Sequence, residues 1–515
     1  MIITGVALSV VAVLVVGLLV ARKVDGDSTN FLVAGRSLAL PLSAAGLMGQ
    51  AVDSNATLGN TDLAHSFGFW AGAGLPLGLA ICLLLTGLFF ARRMNAMRLH
   101  TLPDFYRVTY GRVVEVVASI FMIFSFCILL AGNLVAGGLL FEAFLGTSYE
   151  LGILLIVGVV LAYTITGGMF SDAYTAFIQM VITVVASAAL LIWVATTYGI
   201  SAPAGTGPFD LGQLSDLAQG AVINWGTLVA LGIGDIVAID FMQRIFSAKS
   251  PDTARRACFV GAAGTALVGI PYALVALSSV QIFGDDTFTG PVLFHLLADY
   301  APTGLAVLVL SGIVAASCST ANGAILGTAA VAVRNVAGFK REPVGEGRDP
   351  LLRLVRLTML PVVGVAVLFA IRVPQTGILL TLAFDLMLAC LLVPFVLGHY
   401  GRRRSPQAAM AAIVVGFTVR FGLFVVTPTI FGADNTLLYV RNSVVGPDFD
   451  GWPTFLGLLA SVLAFYAATF VWPSGPVPAL TEEQVATEAA RIRQASGTRT
   501  PAPVGDHATL VPPPA

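Results

Sequence analysis

About thirteen apolar segments, each long enough to cross a lipid bilayer, dominate this chain of 515 residues. Backbone groups in lipid must be hydrogen-bonded within a helix or a closed barrel, and about 20 apolar residues make one helical span. The sequence therefore predicts an all-α polytopic membrane protein with about 13 transmembrane helices. The segments are approximately 2–21, 38–58, 68–91, 114–140, 150–167, 173–197, 218–240, 257–283, 302–332, 354–372, 376–397, 406–427 and 453–472.

The residue balance argues against several classes of protein. Only 11% of the residues are charged, against about 25% in soluble domains. The net charge of -1 gives no indication of nucleic-acid binding. The five cysteines all lie in apolar segments without metal-ligand spacing, so we expect packed thiols. The sequence shows no paired metal ligands, phosphate-binding glycine loop or nucleophile motif, and we therefore do not expect an enzyme.

Basic residues are distributed unevenly among the loops. The loops after segments 1, 3, 7, 9 and 11, together with the C-terminal tail and Arg356 at the start of segment 10, hold 24 of the 27 Lys and Arg residues. Such an excess marks the cytoplasmic side of a membrane protein. We therefore expect a multi-pass protein of the plasma (inner) membrane, with its N-terminus outside and its C-terminus cytoplasmic.

The ninth segment carries hydroxyl and amide groups at membrane depth. Ser319 and Thr320 follow Ala316 by three and four residues, so on a helix all three share one face. That face offers two hydroxyl oxygens, and a hard cation such as Na⁺ prefers oxygen ligands. The alternative is that these residues, with Ser317 and Asn322, let two helices pack closely. Polar residues elsewhere in the chain favour the cation site.

Segment 2 also carries polar side chains at membrane depth, namely the carboxylate of Asp53 and the amides of Gln50 and Asn55. A charged side chain at membrane depth costs about 2.5–3.5 kcal/mol on insertion scales and usually has a function. The polar side chains and glycines of this segment disfavour an unbroken helix, and an interrupted helix frees carbonyl groups that can bind an ion. The alternative is that segment 2 begins later and that Asp53 lies in an outer loop.

Segment 7 is irregular in the same way, with Asn224, Trp225, Asp235 and Asp240 among glycines. If segments 2–6 and 7–11 form two halves, segments 2 and 7 are the opening helices of each half. Interrupted helices at matching positions of two halves indicate a transporter binding site.

Two further intramembrane charges are Asp385 in segment 11 and Arg420 in segment 12. Either the two side chains form a structural ion pair, or Asp385 contacts a solute.

Four stretches resemble motifs of the sodium/solute symporter family, which contains proline, sugar, iodide and pantothenate carriers. Residues 31–37 resemble the approach to the first core helix of that family, and residues 163–168 with Gln179 resemble its signature between core helices four and five. Residues 243–256 resemble the loop after core helix six, and residues 315–320 resemble the sodium motif of core helix eight. The four stretches occur in the order and spacing of the family.

The resemblance implies a leucine-transporter-like fold with a five-plus-five inverted-repeat core. The transport core would be residues 38–397, with 38–197 as the first repeat and 218–397 as the second. Residues 1–37 would form an additional N-terminal helix and the first cytoplasmic loop. Residues 398–473 would form two additional helices, and residues 474–515 a cytoplasmic tail that is largely disordered apart from a short charged stretch at 482–493.

The resemblance also implies a Na⁺ site between core helices one and eight, with Asp53 as a nearby charge. Asp53 aligns with an acidic residue that sodium-coupled proline carriers of the family have beside this site. The ligands would be the carbonyl groups of Ala51, Ser54 and Ala316 and the hydroxyl groups of Ser319 and Thr320.

One departure from the family pattern concerns ion stoichiometry. Where family members with a second cation step carry an acidic residue, this chain has Ala176, and Asp172 lies four positions earlier. The pair Gly167 and Gly168 predicts a loop just before Asp172. One coupled Na⁺ is therefore expected.

We expect a secondary active transporter that imports a small polar organic solute with Na⁺ as the coupling ion. The alternatives are a proton-coupled symporter of the same fold, in which Asp53 and Asp172 titrate, and a solute sensor that does not transport. A sensor would need an output partner, for which the tail offers no domain, and no obligate protein partner is evident. The residues expected to contact the solute are Gln50, Asn55, Asn224, Trp225 and Asp385.

Overall fold

The computed structural model describes residues 2–340, 349–401 and 405–472, and these are predominantly α-helical. The predicted tail, including its charged stretch at 482–493, lies outside the described residues. The α-helices are α1 (Ile2–Val20), α2 (Ser28–Val33), α3 (Leu40–Ala51), α4 (Asn60–Phe67), α5 (Phe69–Leu85), α6 (Ala91–Ala96), α7 (Pro103–Tyr110), α8 (Arg112–Leu145), α9 (Tyr149–Thr197), α10 (Gly212–Ser215), α11 (Ala221–Gly232), α12 (Ile239–Ser247), α13 (Pro251–Phe283), α14 (Val292–His295), α15 (Thr303–Val331), α16 (Pro350–Arg372), α17 (Ile378–Met387), α18 (Val393–Tyr400), α19 (Pro406–Val426) and α20 (Trp452–Val471).

Among the described residues, ten helices are long and apolar enough to cross a membrane, or eleven if the bent pair of α11 and α12 forms one span. The predicted number was about 13. It counted segments 5 and 6 separately, whereas both lie within α9. It also counted segment 2, which the structure divides into the short helices α3 and α4. The count of 13 and the inverted repeat stay predictions.

The chain changes direction within α9 at Gly168. This residue has φ +49° and ψ −136°, a conformation that glycine adopts without a Cβ clash. A Cβ atom at Gly168 would lie 2.4 Å from the carbonyl oxygen of Phe31. The predicted loop before Asp172 is wrong, because one glycine makes the turn and the helix resumes at Met169. Asp172 therefore lies one helical turn before Ala176, on the same face.

Two helices are interrupted where the polar residues occur, as the sequence predicted. α3 ends at Ala51, and Val52 is extended, with φ −102° and ψ 91°. A π-helical turn over Asn55–Gly59 then leads into α4. α11 ends at Gly232, a 3₁₀ turn over Gly234–Val237 follows, and α12 continues at an angle of 47°.

The long helix α15 lies at the centre of the molecule. In its most apolar window of eighteen residues, 78% of the positions are buried, and it packs against α1, α3, α8, α9 and α16. The five cysteines are all buried and unbridged, which confirms the prediction of packed thiols. A short hairpin of β1 (Thr429–Ile430) and β2 (Ala433–Asp434) lies between α19 and α20, at the end of the molecule where α11 begins.

Candidate cation and solute site

The end of α3 contacts the middle of α15 through two polar side chains. The Thr320 hydroxyl donates a hydrogen bond to the carbonyl oxygen of Gly49 at 2.9 Å, and the Gln50 amide donates to the carbonyl oxygen of Ser319 at 2.9 Å. Gly49 permits this approach, because a Cβ atom there would lie 2.6 Å from the Ser319 Oγ atom. The helix interruption after Ala51 and the hydroxyl pair are thus neighbours.

The donor set in this contact fits a hard cation. The Oγ atom of Ser319 is buried and has no hydrogen-bond partner. A buried hydroxyl without a partner is costly, and coordination of a cation would satisfy it. Ala51 precedes the non-helical Val52 and Ser54 follows it by two residues, whereas Ala316 lies within the unbroken α15. The structure brings Ser319 and Thr320 against the last turn of α3, and the full set of predicted ligands stays a prediction.

Asp53 is fully buried at the interruption, which excludes its location in an outer loop. One carboxylate oxygen accepts a hydrogen bond from the Ala56 backbone N–H at 2.8 Å. The other accepts from the side-chain amides of Asn55 at 2.5 Å and Asn133 at 3.0 Å. Three donors stabilise the ionised form of a buried carboxylate. The predicted residue Asn55 thus orients Asp53.

Asn133 on α8 is a site residue that the sequence analysis missed. Its amide nitrogen donates to Asp53, and its amide oxygen accepts from the Ser54 hydroxyl at 3.1 Å. It therefore connects the interrupted helix to α8. The available signal was one side-chain amide in the mostly apolar segment 4, which is weaker than a carboxylate at membrane depth.

A buried charge cluster lies one helical turn from the hydroxyl pair. The Arg244 guanidinium on α12 is 2.6 Å from the Asp172 carboxylate, and Asn322 donates to the other oxygen of Asp172 at 3.0 Å. Arg244 also donates to the carbonyl oxygen of Asp240 at 3.0 Å. Asp172 is therefore paired by protein groups.

Asn224 and Trp225 lie apart from the predicted cation site. Asn224 donates to the carbonyl oxygen of Gln213 at 2.8 Å and lines a cavity of about 500 Å³ at the end of the molecule where α11 begins. Trp225 is 47% exposed, and its indole N–H donates to the carbonyl oxygen of Leu214 at 2.9 Å. The side chain of Trp225 is thus partly exposed and its N–H group is bonded within the protein, and its contact with a solute stays a prediction.

Asp385 forms the structural pair that the sequence left open. Its carboxylate is 2.5 Å from the Arg420 guanidinium and accepts a hydrogen bond from the Thr454 hydroxyl at 3.1 Å. These contacts tie α17 to α19 and α20. The charge of Asp385 is thereby balanced within the protein, which disfavours its predicted contact with a solute.

At the opposite end of the molecule, acidic side chains before and within α8 hold the segment that follows α15. Lys340 is 2.6 Å from both Asp104 and Glu115, and all three side chains are at least nine-tenths buried. Burial alone would raise the pKa of Asp104, but Lys340 and Arg334 beside it hold that pKa below its usual range. This cluster joins two loops that the sequence predicts to be cytoplasmic.

Comparison with known proteins places these features in context. A family model described as "Sodium:solute symporter family" matches residues 31–416. The high-affinity choline transporter 1 of Drosophila melanogaster is 23% identical over 449 residues, which are 81% of this chain and 70% of the relative. The osmoregulated proline transporter OpuE of Bacillus subtilis is 27% identical over 440 residues, which are 79% of this chain and 85% of the relative.

The fold is also found among solved structures. A substrate-bound, outward-open Na⁺-coupled sialic acid symporter superposes with a TM-score of 0.72 at 15% sequence identity. The match covers 92% of this chain and 98% of that one. At this level of identity the likeness shows a shared fold of the transporter class.

Proposed function

Because the chain belongs to the sodium:solute symporter family, we propose that it imports a small polar organic solute together with Na⁺ by alternating access. The chain is a multi-pass membrane transporter, and its relatives are transporters and not enzymes. The coupling ion, the solute and the direction of transport are the parts proposed here.

The contact between the interrupted helix and α15 carries the proposal. Na⁺ bound by the hydroxyl groups of Ser319 and Thr320, with carbonyl groups of Ala51, Ser54 and Ala316, would join α3 to α15. An ion that binds only when these elements are close favours conformations that hold them together. If the solute requires the same conformations, each ligand raises the affinity for the other by the same factor.

Na⁺ is favoured over a proton as the coupling ion. Asp53 accepts three hydrogen bonds and Asp172 pairs with Arg244, and both arrangements stabilise a carboxylate. A hydroxyl oxygen without a partner, as in Ser319, can bind a cation but cannot take up a coupling proton at neutral pH. The orientation with the N-terminus outside remains part of the proposal, because it rests on loop charge alone.

The proposal is tested by transport in proteoliposomes containing the purified protein. Uptake of labelled proline and choline, the solutes named for the relatives, is measured under an inward Na⁺ gradient, under an inward K⁺ gradient and under a pH gradient without Na⁺. We expect accumulation of one solute only with Na⁺, and a Na⁺-dependent rise in the thermal unfolding temperature. Equal uptake with K⁺, or uptake driven by the pH gradient alone, would contradict Na⁺ coupling.

A further inference from the structure

Asp235 is a buried carboxylate that the protein does not pair. It lies in the 3₁₀ turn between α11 and α12 and is 1% exposed. Neither of its two carboxylate oxygens has a hydrogen-bond partner. Buried charges are otherwise paired, because removal of an ion from water without compensation is strongly unfavourable.

The neighbouring acids have partners, and Asp235 differs from each of them. Asp53 accepts three hydrogen bonds, Asp172 pairs with Arg244, and Asp385 pairs with Arg420. Asp240 accepts a hydrogen bond from the Phe241 backbone N–H at 2.6 Å. Among the described residues, Asp235 is the buried acid with both carboxylate oxygens unpartnered.

The position of Asp235 points to a ligand between the two interrupted helices. Asp235 interacts electrostatically with Asp53 at the interruption of the other helix and with Cys82 on α5. The backbone of the preceding residue, Gly234, is so close to α17 that a Cβ atom there would lie 2.6 Å from the Phe384 carbonyl oxygen and 2.9 Å from Leu388. The turn is thus packed against Phe384 and Leu388. The carboxylates of Asp53 and Asp240 lie within electrostatic range of Asp235.

We propose that the transported solute carries a positively charged nitrogen and that Asp235 binds it. The inference rests on the proposed function and specifies its substrate class. Na⁺ prefers several oxygen ligands, whereas an unpartnered carboxylate beside apolar groups suits an organic ammonium group attached to a carbon skeleton, and the nearby acids Asp53 and Asp240 add attraction for a cation. An anionic solute would be repelled by both Asp53 and Asp235.

The cavity at the start of α11 is compatible with such a solute. The residues that line it within the described chain include no charged side chain, and its polar groups come from Gln213, Asn224 and Thr227 among others. Thr227 lies within α11, five residues before that helix ends at Gly232, and Asp235 lies in the turn that follows. The nearby loop 284–301 contains Asp285, Asp286 and Asp299 and no Lys or Arg, so its field attracts cations.

The experiment compares solutes that differ in charge but not in shape. Thermal unfolding of the purified protein is measured in Na⁺ with choline and with its neutral carbon isostere 3,3-dimethylbutan-1-ol. Methylammonium, proline and glucose extend the panel. We expect stabilisation by at least one compound with a charged nitrogen and none by the neutral isostere. For the stabilising compound, Asp235→Asn should raise the apparent Kd by at least tenfold, and Asp235→Glu should retain part of the affinity.

Two controls separate the outcomes. Asp299→Asn removes an acid whose side chain is 61% exposed, and its effect on the apparent Kd should be less than twofold. Stabilisation of Asp235→Asn by Na⁺ alone shows that the variant is folded and that the Na⁺ site is intact. If Na⁺ stabilises the wild type but no compound with a charged nitrogen stabilises it further, the assignment of Asp235 is overturned and Na⁺ coupling stands. The same conclusion follows if only a neutral solute stabilises it further. Loss of Na⁺ stabilisation in the wild type would instead contradict the proposed function.

Discussion

Arg244 and Asp172 form an ion pair of 2.6 Å in which each side chain is 1% exposed. The pair joins α12 to α9, and Asn322 extends it to α15. Arg244 also packs against α3, since a Cβ atom at Gly46 would lie 3.3 Å from its Cδ atom. One guanidinium group therefore connects α3, which precedes the first helix interruption, with α12, which follows the second. These contacts lie on the side of the hydroxyl pair that the sequence predicts to be cytoplasmic.

Asp172→Asn should destabilise the protein strongly. Removal of one partner of a buried ion pair leaves an uncompensated charge and costs about 3–5 kcal/mol. Arg244→Gln should have a cost of similar size. The double variant should lose less than the sum of the single variants, because it leaves no unpaired charge. Thermal unfolding in detergent measures all three, and strict additivity would show that the two charges do not interact.

The double variant Ser319→Ala with Thr320→Ala should raise the Na⁺ concentration for half-maximal uptake by about tenfold or more. Each lost hydrogen-bonding group at a charged ligand costs about 1.5–3 kcal/mol, and 1.4 kcal/mol corresponds to a factor of ten. Thr328→Ala is the matched control, because its hydroxyl, like that of Ser319, is buried and unpartnered, and it lies about two turns further along the same helix. Unchanged Na⁺ dependence in a folded double variant would mean that the pair only packs helices.

Asp53→Asn should weaken Na⁺ dependence more than it weakens folding. The amide keeps the shape but removes a charge beside the site, and such a charge stabilises a cation over several ångströms. Asn133→Leu should produce a smaller shift in the same direction, because Asp53 then keeps two of its three donors. Uptake titrated with Na⁺ at constant solute gives both values, and a larger effect of Asn133→Leu would reverse the order of roles assigned here.

Intramembrane polarity made much of this site predictable. Asp53 and the hydroxyl pair stand out against apolar neighbours, and the structure places the pair at the contact of α3 with α15 and Asp53 in the interruption that follows α3. The interruptions in segments 2 and 7 were predictable for the same reason, because glycines and polar groups disfavour an unbroken helix in lipid. Asn133 was not, since a single amide in a long apolar segment has no partner that sequence alone identifies.

The direction of the chain at a turn and the pairing of distant side chains were harder to predict than the positions of polar residues. The turn at Gly168 depends on one positive φ angle and on close contact with Phe31, and local sequence indicated only a loop. The partner of Asp172 lies 72 positions away at Arg244, and such a pairing arises from tertiary packing. Sequence alone likewise did not indicate that the side chain of Trp225 is 47% exposed.

Asp104→Asn should lower the unfolding temperature in a pH-dependent way. Folding lowers the pKa of Asp104, so its contribution is complete above the unfolded pKa, about 3.9, and is lost as pH falls below that value. The difference between wild type and variant should therefore be constant from about pH 8 to about pH 5 and shrink below about pH 4. Asp252→Asn removes an exposed partner of Arg92 and should have little effect at any of these pH values. A difference that grows on acidification would reverse the sign assigned to Asp104.

One Na⁺ should be transported per solute. Ala176 has no side-chain oxygen to bind a second cation, and the nearest acid on that helix face, Asp172, is occupied by Arg244. The guanidinium thus supplies within the protein the positive charge that a second ion would bring. Reversal potentials in proteoliposomes measure the ratio, because for one Na⁺ a tenfold change in the Na⁺ gradient and a tenfold change in the solute gradient shift the potential equally. This equality holds for a neutral and for a positively charged solute alike.

The same measurement discriminates against a second site that uses Asp172. Two Na⁺ per solute would make the shift for the Na⁺ gradient twice that for the solute gradient. If that ratio fell to one in the double variant Asp172→Asn with Arg244→Gln, Asp172 would be a cation ligand and its pairing with Arg244 would have to break during transport. We expect a ratio of one in the wild type and in the double variant alike, because the pair is buried, close and joined by a further hydrogen bond from Asn322.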